Sequence, residues 1–249
     1  MNDRLRQWVD DASNVVVFTG AGISTDSNIP DFRSPGGLWT RMKPIMFQDF
    51  LASEEMQIES WRRKFALDKE IGAAKPNGGH RAIAHLVKNS KVSHVITQNI
   101  DNLHQASGVT HQQVIELHGN GSFAKCLDCG LRHELVDLRR AFEAQDGKKP
   151  LRCQNCGGLV KSATISFGQS MPDDEMRRAE TATLACDLFI VIGSSLQVYP
   201  AAGFPILASR NGAKLVIINR EPTDLDELAD LVINEEITPV LIDLVGLNS

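Results

Sequence analysis

Hydrophobic residues in this chain fall into short dense blocks, separated by longer stretches in which apolar positions recur with a helical period. Leu5, Trp8, Val9 and Ala12 stand at i, i+3, i+4 and i+7, which predicts an amphipathic helix at the start. It runs into a β-branched block at Val15, Val16, Val17 and Phe18, and blocks of strand length recur at 92–96, 188–192 and 215–218. Helical patterns at 81–87 and 201–208 lie between them. Alternation of this kind predicts an α/β fold on a parallel sheet. Residues 122–162 break the alternation and read as an insert.

Each block ends in a polar or glycine-bearing turn: Thr19-Gly20-Ala21-Gly22-Ile23-Ser24-Thr25, Thr97-Gln98-Asn99-Ile100-Asp101, Gly193-Ser194-Ser195 and Asn219-Arg220-Glu221. Ligands of open α/β sheets bind at the carboxyl ends of strands, so these four turns are expected to converge on one crevice. In the first, Gly20 and Gly22 predict a phosphate cradle, where the backbone approaches a pyrophosphate and successive free N–H groups point at its oxygens. The third glycine of a dinucleotide fingerprint is missing, because Thr25 stands at its place, and this weakens an ordinary dehydrogenase reading. Instead of a helix, Pro30, Asp31, Phe32 and Arg33 follow, which predicts a loop folding over a ligand.

At 249 residues the chain suits one large domain, or a large domain with a small insert. A net charge of -5 offers no general attraction to nucleic acid or anionic lipid. The charged N-terminus lacks an apolar signal core, and an odd cysteine count with four of the five clustered argues against a disulfide framework. A soluble cytoplasmic protein is expected.

Cys126-x2-Cys129 and Cys153-x2-Cys156 can surround one ion tetrahedrally, and zinc is its natural occupant. Gly130 and Gly157 follow the second cysteine of each pair and suit a tight knuckle. Four protein ligands leave no open position, so the ion is expected to be structural. Residues 125–161 hold eight Lys or Arg against five Asp or Glu, too mild an excess for a nucleic-acid grip. The remaining cysteine, Cys186, reads as a small core residue.

Two further segments carry chemistry: Gln98-Asn99-Ile100-Asp101 and Glu116-Leu117-His118-Gly119-Asn120. His118 stands out by its companions, whereas His80, His85, His94, His104, His111 and His133 read as packed or solvated residues. With Ile29-Pro30-Asp31-Phe32-Arg33, the cysteine pairs, Gly193-Ser194-Ser195-Leu196 and Pro200-Ala201-Ala202, these segments resemble the sirtuin family, of bacterial type, in order and spacing. The resemblance spans nearly the whole chain. It implies one catalytic domain: a Rossmann-type sheet with helices on both faces from about 1–30, 75–121 and 163–249, and a small zinc-binding part from about 31–74 and 122–162. It also implies NAD-dependent removal of acyl groups from protein lysines, yielding nicotinamide and O-acyl-ADP-ribose, with acyl-lysine proteins as partners.

The resemblance further implies roles. Ala21, Gly22 and Ile23 would supply backbone contacts to the diphosphate, with Arg33 adding positive charge near it, and Gly20, Thr25 and Asp31 would also contact the cofactor. Phe32 would shield the reacting sugar. Asn99, Ile100 and Asp101 match the nicotinamide pocket, Gln98 a ribose contact, and Gly193, Ser194, Ser195, Asn219 and Arg220 the adenosine half. His118, and with it Asn99, would be catalytic, His118 as the base for a ribose hydroxyl. Ser166, Phe167, Gly168 and Val198 match strands that flank the substrate peptide by β-augmentation.

The chain departs from the family at Gln169, usually glutamate, at Ser166, at Lys161-Ser162 where Arg-Pro is frequent, and at Asn28 in place of a glycine. The Tyr-x-x-Arg pair of desuccinylating members cannot exist, because the only tyrosine is Tyr199, so neutral acyl groups are expected, acetyl first. Trp61-Arg62-Arg63 occupies the roughly corresponding region. A mono-ADP-ribosyltransferase and a non-enzymatic NAD sensor or adaptor are the alternative readings.

Overall fold

The computed structural model of the protein describes residues 2–31, 37, 40 and 42–247. Helix α1 (Asn2–Asp11) delivers the chain to β1 (Val15–Thr19), buried along its whole length. A 3-10 helix follows at Ala21–Ser27, within the glycine turn. It ends at Asn28, whose φ of 60° is the left-handed conformation that asparagine tolerates. The chain then forms α2 (Phe47–Ala52), α3 (Glu54–Ile71), α4 (Gly78–Lys88), β2 (Val92–Thr97), the short α5 (Leu103–Ala106) and β3 (Val114–Glu116). Next come β4 (Gly119–Cys126), β5 (Arg132–Glu134), α6 (Leu135–Glu143) and β6 (Val160–Thr164). The remainder is α7 (Asp173–Ala185), β7 (Leu188–Ile192), α8 (Gly203–Arg210), β8 (Lys214–Ile218), β9 (Leu231–Ile233) and α9 (Ile237–Val245).

Six strands form a parallel sheet in the order β3-β2-β1-β7-β8-β9. Alternate residues of each strand point to opposite faces, and both faces are covered. Val15 and Val17 join Ile83, Leu86 and Leu241 on one side, while Val16 and Phe18 join Ala179, Phe204 and Ala208 on the other. A second sheet, β5-β4-β6, is antiparallel. Its core holds Ala124, Cys126 and Val160 with Trp61 and Phe65 of α3 and Leu138 and Phe142 of α6. Among the described residues no helix is long and apolar enough to cross a membrane.

Chain order reverses between the neighbours β1 and β7, which makes their carboxyl ends the topological switch point of the sheet. The two turns there pack backbone against backbone. Gly20 N–H donates to Ile192 O at 3.0 Å and Gly22 N–H to Gly193 O at 2.8 Å. A Cβ on Gly20 would stand 2.6 Å from Gly193 O, and one on Gly193 would stand 2.5 Å from Ile23 N. Gly193 also has φ +64°. Gly193→Ala should therefore lower the unfolding free energy by about 2 kcal/mol or more, because backbone cannot yield to the new methyl. Gly246→Ala, at φ +65° but with nothing within 4 Å, should cost only about 1 kcal/mol. Urea unfolding of the two variants checks the difference.

Candidate active site

Three of the four strand-end turns are joined by direct hydrogen bonds above the switch point. Gln98 Nε2 donates to Ser194 Oγ at 3.1 Å, and Asn99 Nδ2 donates to Gly20 O at 3.0 Å and to Ser24 Oγ at 3.2 Å. Ser24 Oγ in turn donates to Asp101 Oδ2 at 2.7 Å, and Asp101 Oδ1 accepts the Leu103 N–H that opens α5. The fourth turn is tied in from the side, where Gly193 N–H donates to Ile218 O at 2.9 Å and Asn219 N–H to Ile233 O at 3.1 Å. The expected convergence of these turns is what the fold produces.

The details differ from the cradle predicted from sequence. Gly22 N–H is spent on Gly193 O and Ile23 N–H bonds Gly20 O at 3.3 Å, so neither is a free donor. The two glycines serve the contact between turns as much as any ligand. Thr25 is exposed and returns its hydroxyl to Gly22 O at 3.0 Å. Ser195 and Arg220 are exposed, Arg220 pairing with Glu221 at 2.9 Å. Ala21, Ile100 and Asp31 are half-buried, whereas Phe32 and Arg33 lie outside the described residues. Ser24, only 1% exposed, is a site residue that the motif reading missed, since a lone serine behind two glycines carries no spacing signal.

His118 lies in the two-residue link from β3 to β4, at the joint between the sheets. Gly119 makes the joint turnable: its φ is +73°, and a Cβ there would stand 2.0 Å from Ala163 O. The imidazole Nδ1 is 3.0 Å from Gln98 O. A carbonyl only accepts, so Nδ1 carries the proton and Nε2 keeps its lone pair. Burial pushes the His118 pKa below 6.5, against the opposing pull of that carbonyl. Two residues earlier, Glu116 Oε1 accepts from Gln105 at 2.8 Å and Asn120 at 2.7 Å, pinning the joint to α5.

Ser166–Gly168 leaves β6 beside this joint. Ile165 N–H donates to His118 O at 2.8 Å, and Phe47 N–H donates to Phe167 O at 2.9 Å. The phenyl ring of Phe167 is exposed, and Gly168 turns at φ +81°. Gln169 caps its own turn, its Oε1 accepting Ser166 N–H at 3.2 Å. Val198, on the segment after Gly193, is half-buried.

The sequence profile of the Sir2 family matches residues 20–200. The chain belongs to that family. It is 57% identical over 244 residues to NAD-dependent protein deacetylase 1 of Bradyrhizobium diazoefficiens, covering 98% of this chain and 95% of that one. The NAD-dependent protein deacetylase of Rhodopseudomonas palustris is 56% identical, with coverages of 98% and 96%. Among solved structures, a Sir2 complex with a p53 peptide and NAD+ superposes with a TM-score of 0.86 at 34% identity, covering 99% of this chain and 98% of the other. A Sir2 variant with deacetylated p53 peptide and 3'-O-acetyl-ADP-ribose gives a TM-score of 0.87 at 33% identity, covering 99% of each chain.

In this Sir2-family chain the four clustered cysteines fit a zinc ion. Their sulfurs all lie within 4.8 Å of one another, with Cys126 to Cys156 at 3.4 Å and Cys129 to Cys153 at 3.7 Å. Zinc–sulfur bonds of about 2.3 Å place tetrahedral sulfurs about 3.8 Å apart. Gly130 and Gly157 have φ of +72° and +75°, the knuckle conformation expected of them. Chelation should strip the ion and loosen the core that Cys126 and Cys153 share with Trp61. The expected outcome is red-shifted tryptophan emission that is absent from Trp61→Phe.

Beneath the crevice lie His80 and His104, 0% and 1% exposed, with ring centroids 5.1 Å apart. They are packed residues, as the sequence suggests, yet they adjoin the site. His104 Nε2 is 2.9 Å from Thr19 Oγ1, which donates to Thr97 Oγ1, which accepts Asn99 N–H. Burial pushes the two pKa values down to about 4 and about 3, overriding the attraction of Asp101 for a charged His80. Because the folded values lie below the unfolded one, their contribution is complete above pH 6.5 and is lost as pH falls towards 4. Each should steepen acid destabilisation by about 1.4 kcal/mol per pH unit in that window. Urea titrations of the wild type and His104→Gln should show a shallower slope in the variant.

Proposed function

We propose that this chain is an NAD-dependent protein-lysine deacylase acting first on acetyl groups, releasing nicotinamide and O-acyl-ADP-ribose. The observation that carries the reading is His118, whose Nε2 lone pair is left free where the two sheets meet, beside the turns of the switch point. Relatives of the chain are named for this activity, and solved Sir2 neighbours hold acyl or deacetylated peptides, NAD+ and acetyl-ADP-ribose.

The residue roles are those of the family resemblance. Gly20, Ala21, Gly22, Ile23 and Thr25 would contact the cofactor at the diphosphate, Arg33 would add positive charge, Phe32 would shield the reacting sugar, and Asp31 would also contact the cofactor. Gln98, Ser194, Ser195, Gly193, Asn219 and Arg220 would hold the riboses and adenine. Asn99, Ile100 and Asp101 would orient the nicotinamide amide. His118 Nε2 would accept a proton from a ribose hydroxyl, turning that oxygen into a nucleophile. Ser166, Phe167, Gly168 and Val198 would pair with the peptide main chain, which supplies affinity with little sequence preference. Zinc, held by Cys126, Cys129, Cys153 and Cys156, would supply structural cross-linking of the small part.

That part would comprise about 31–74 and 122–162, because Trp61 and Phe65 share a core with Cys126, Leu138 and Cys153. Arg62 and Arg63 are both bonded to Glu59, at 2.8 and 2.7 Å, so neither is poised to hold an acyl carboxylate. This supports neutral acyl groups. Metal-ligand cysteines and a net charge of -5 suit a reducing cytoplasm, with no nucleic-acid or membrane partner.

The test is loss of acetyl from a lysine peptide with and without NAD, with nicotinamide measured. Loss should require NAD, and succinyl should be removed more slowly than acetyl. His118→Ala should lower kcat/KM by a factor on the order of 100 or more. Because burial lowers the His118 pKa, the acid limb of the pH–rate profile should lie below pH 6.5. An active His118→Ala variant would overturn the assignment, and labelled ADP-ribose on protein without deacetylation would favour the transferase reading.

A further inference from the structure

Lys161 is a buried lysine with no carboxylate partner among the described residues. It is 4% exposed, and its Nζ donates to Thr164 O at 2.6 Å and to Ser162 O at 3.4 Å. The reason lies in the ladder between β4 and β6. Gly119 pairs with Thr164, but the next pair is Ala124 with Ser162, so residues 120–123 bulge away and face a single residue of β6. The amine reaches forward along its own strand into this opening and donates to the carbonyls of residues 162 and 164. Burial pushes its pKa down to about 8, as expected for an ammonium held by carbonyls alone.

The carbonyl it holds is one residue before Ile165, whose N–H is bonded to His118 O, and two before Ser166, where the peptide-flanking segment begins. From the deacylase reading above, on which this rests, we propose that Lys161 is a positioning residue for substrate, fixing the 164–168 segment relative to His118 through its bond to Thr164 O. It touches neither cofactor nor peptide. Its effect is to hold the start of that segment at a fixed position relative to His118, so that the main chain an added peptide strand would meet stays in one register. At Lys161 a guanidinium could make the same donation, whereas a thioether could not.

The experiment compares Lys161→Met and Lys161→Arg with wild type in the full chain, zinc content being checked for each. Two readouts are used: Michaelis constants for acetyl-lysine peptide and for NAD, and amide hydrogen exchange of residues 163–168. Lys161→Met should raise the peptide constant about tenfold, the weight of one charge-assisted hydrogen bond, with the NAD constant changed by less than about twofold. Exchange at 163–168 should quicken in Lys161→Met and return to the wild-type rate in Lys161→Arg. Unchanged exchange in Lys161→Met, or peptide and NAD constants rising together, would overturn the proposal. If Lys161→Met does not retain zinc, Lys161→Leu, which also lacks a donor, carries the same comparison. Exchange needs no turnover, so a wild type lacking deacetylase activity would sink the functional reading while this measurement still decides the role of Lys161.

Discussion

Everything in the crevice depends on two turns that touch through bare backbone. β1 and β7 are neighbours in the sheet but lie far apart in sequence, and their carboxyl ends meet only because Gly20, Gly22 and Gly193 present no side chains to each other. Gly22 N–H and Gly193 O close the contact at 2.8 Å. On that seam sit the Asn99 bond to Gly20 O and the Gln98 bond to Ser194 Oγ, so the end of β2 is aligned against the turns that follow β1 and β7 by the same junction. A methyl group at any of the three glycines would push apart the elements that carry the site.

The second organising feature is the passage from one sheet to the other. The chain leaves the parallel sheet at Glu116 and enters the small sheet at Gly119, and His118 occupies the link. The link has two anchors. Glu116 binds the joint to α5 through Gln105, and His118 O binds the start of the 165–168 segment. The small sheet shares its core with Cys126 and Cys153, and β4 and β6 run from that core back to the joint at Gly119 and Thr164.

Much of this was legible in sequence, for reasons that are physical. Blocks such as 188–192 are buried on both faces, so every position had to be apolar and the strand announced itself. β3 and β9 are three residues long and offer too few positions for any period to show. Glycines mark where the backbone comes close, but not to what: Gly22 suggests a ligand and meets Gly193. Ser24 was invisible because its role comes from Asn99 and Asp101, which folding brings to it across some seventy residues or more. His80 and His104 read as core residues and are core residues. Only the hydrogen bonds through Thr19 and Thr97 reveal that this part of the core supports the site floor.

A buried imidazole kept neutral is available at every pH above its lowered pKa, but a lower pKa also makes it a weaker base. Gln98 O moderates that conflict, because its hydrogen bond to Nδ1–H pulls the pKa back up while fixing the tautomer that leaves Nε2 open. The same residue sends its side chain to Ser194 at 3.1 Å. The residue that follows β2 therefore orients the His118 ring with its main chain and bonds the turn after β7 with its side chain. For this reason the geometry of His118 cannot be separated from the glycine contact, even though His118 lies in the link after β3 and Gly193 in the turn after β7.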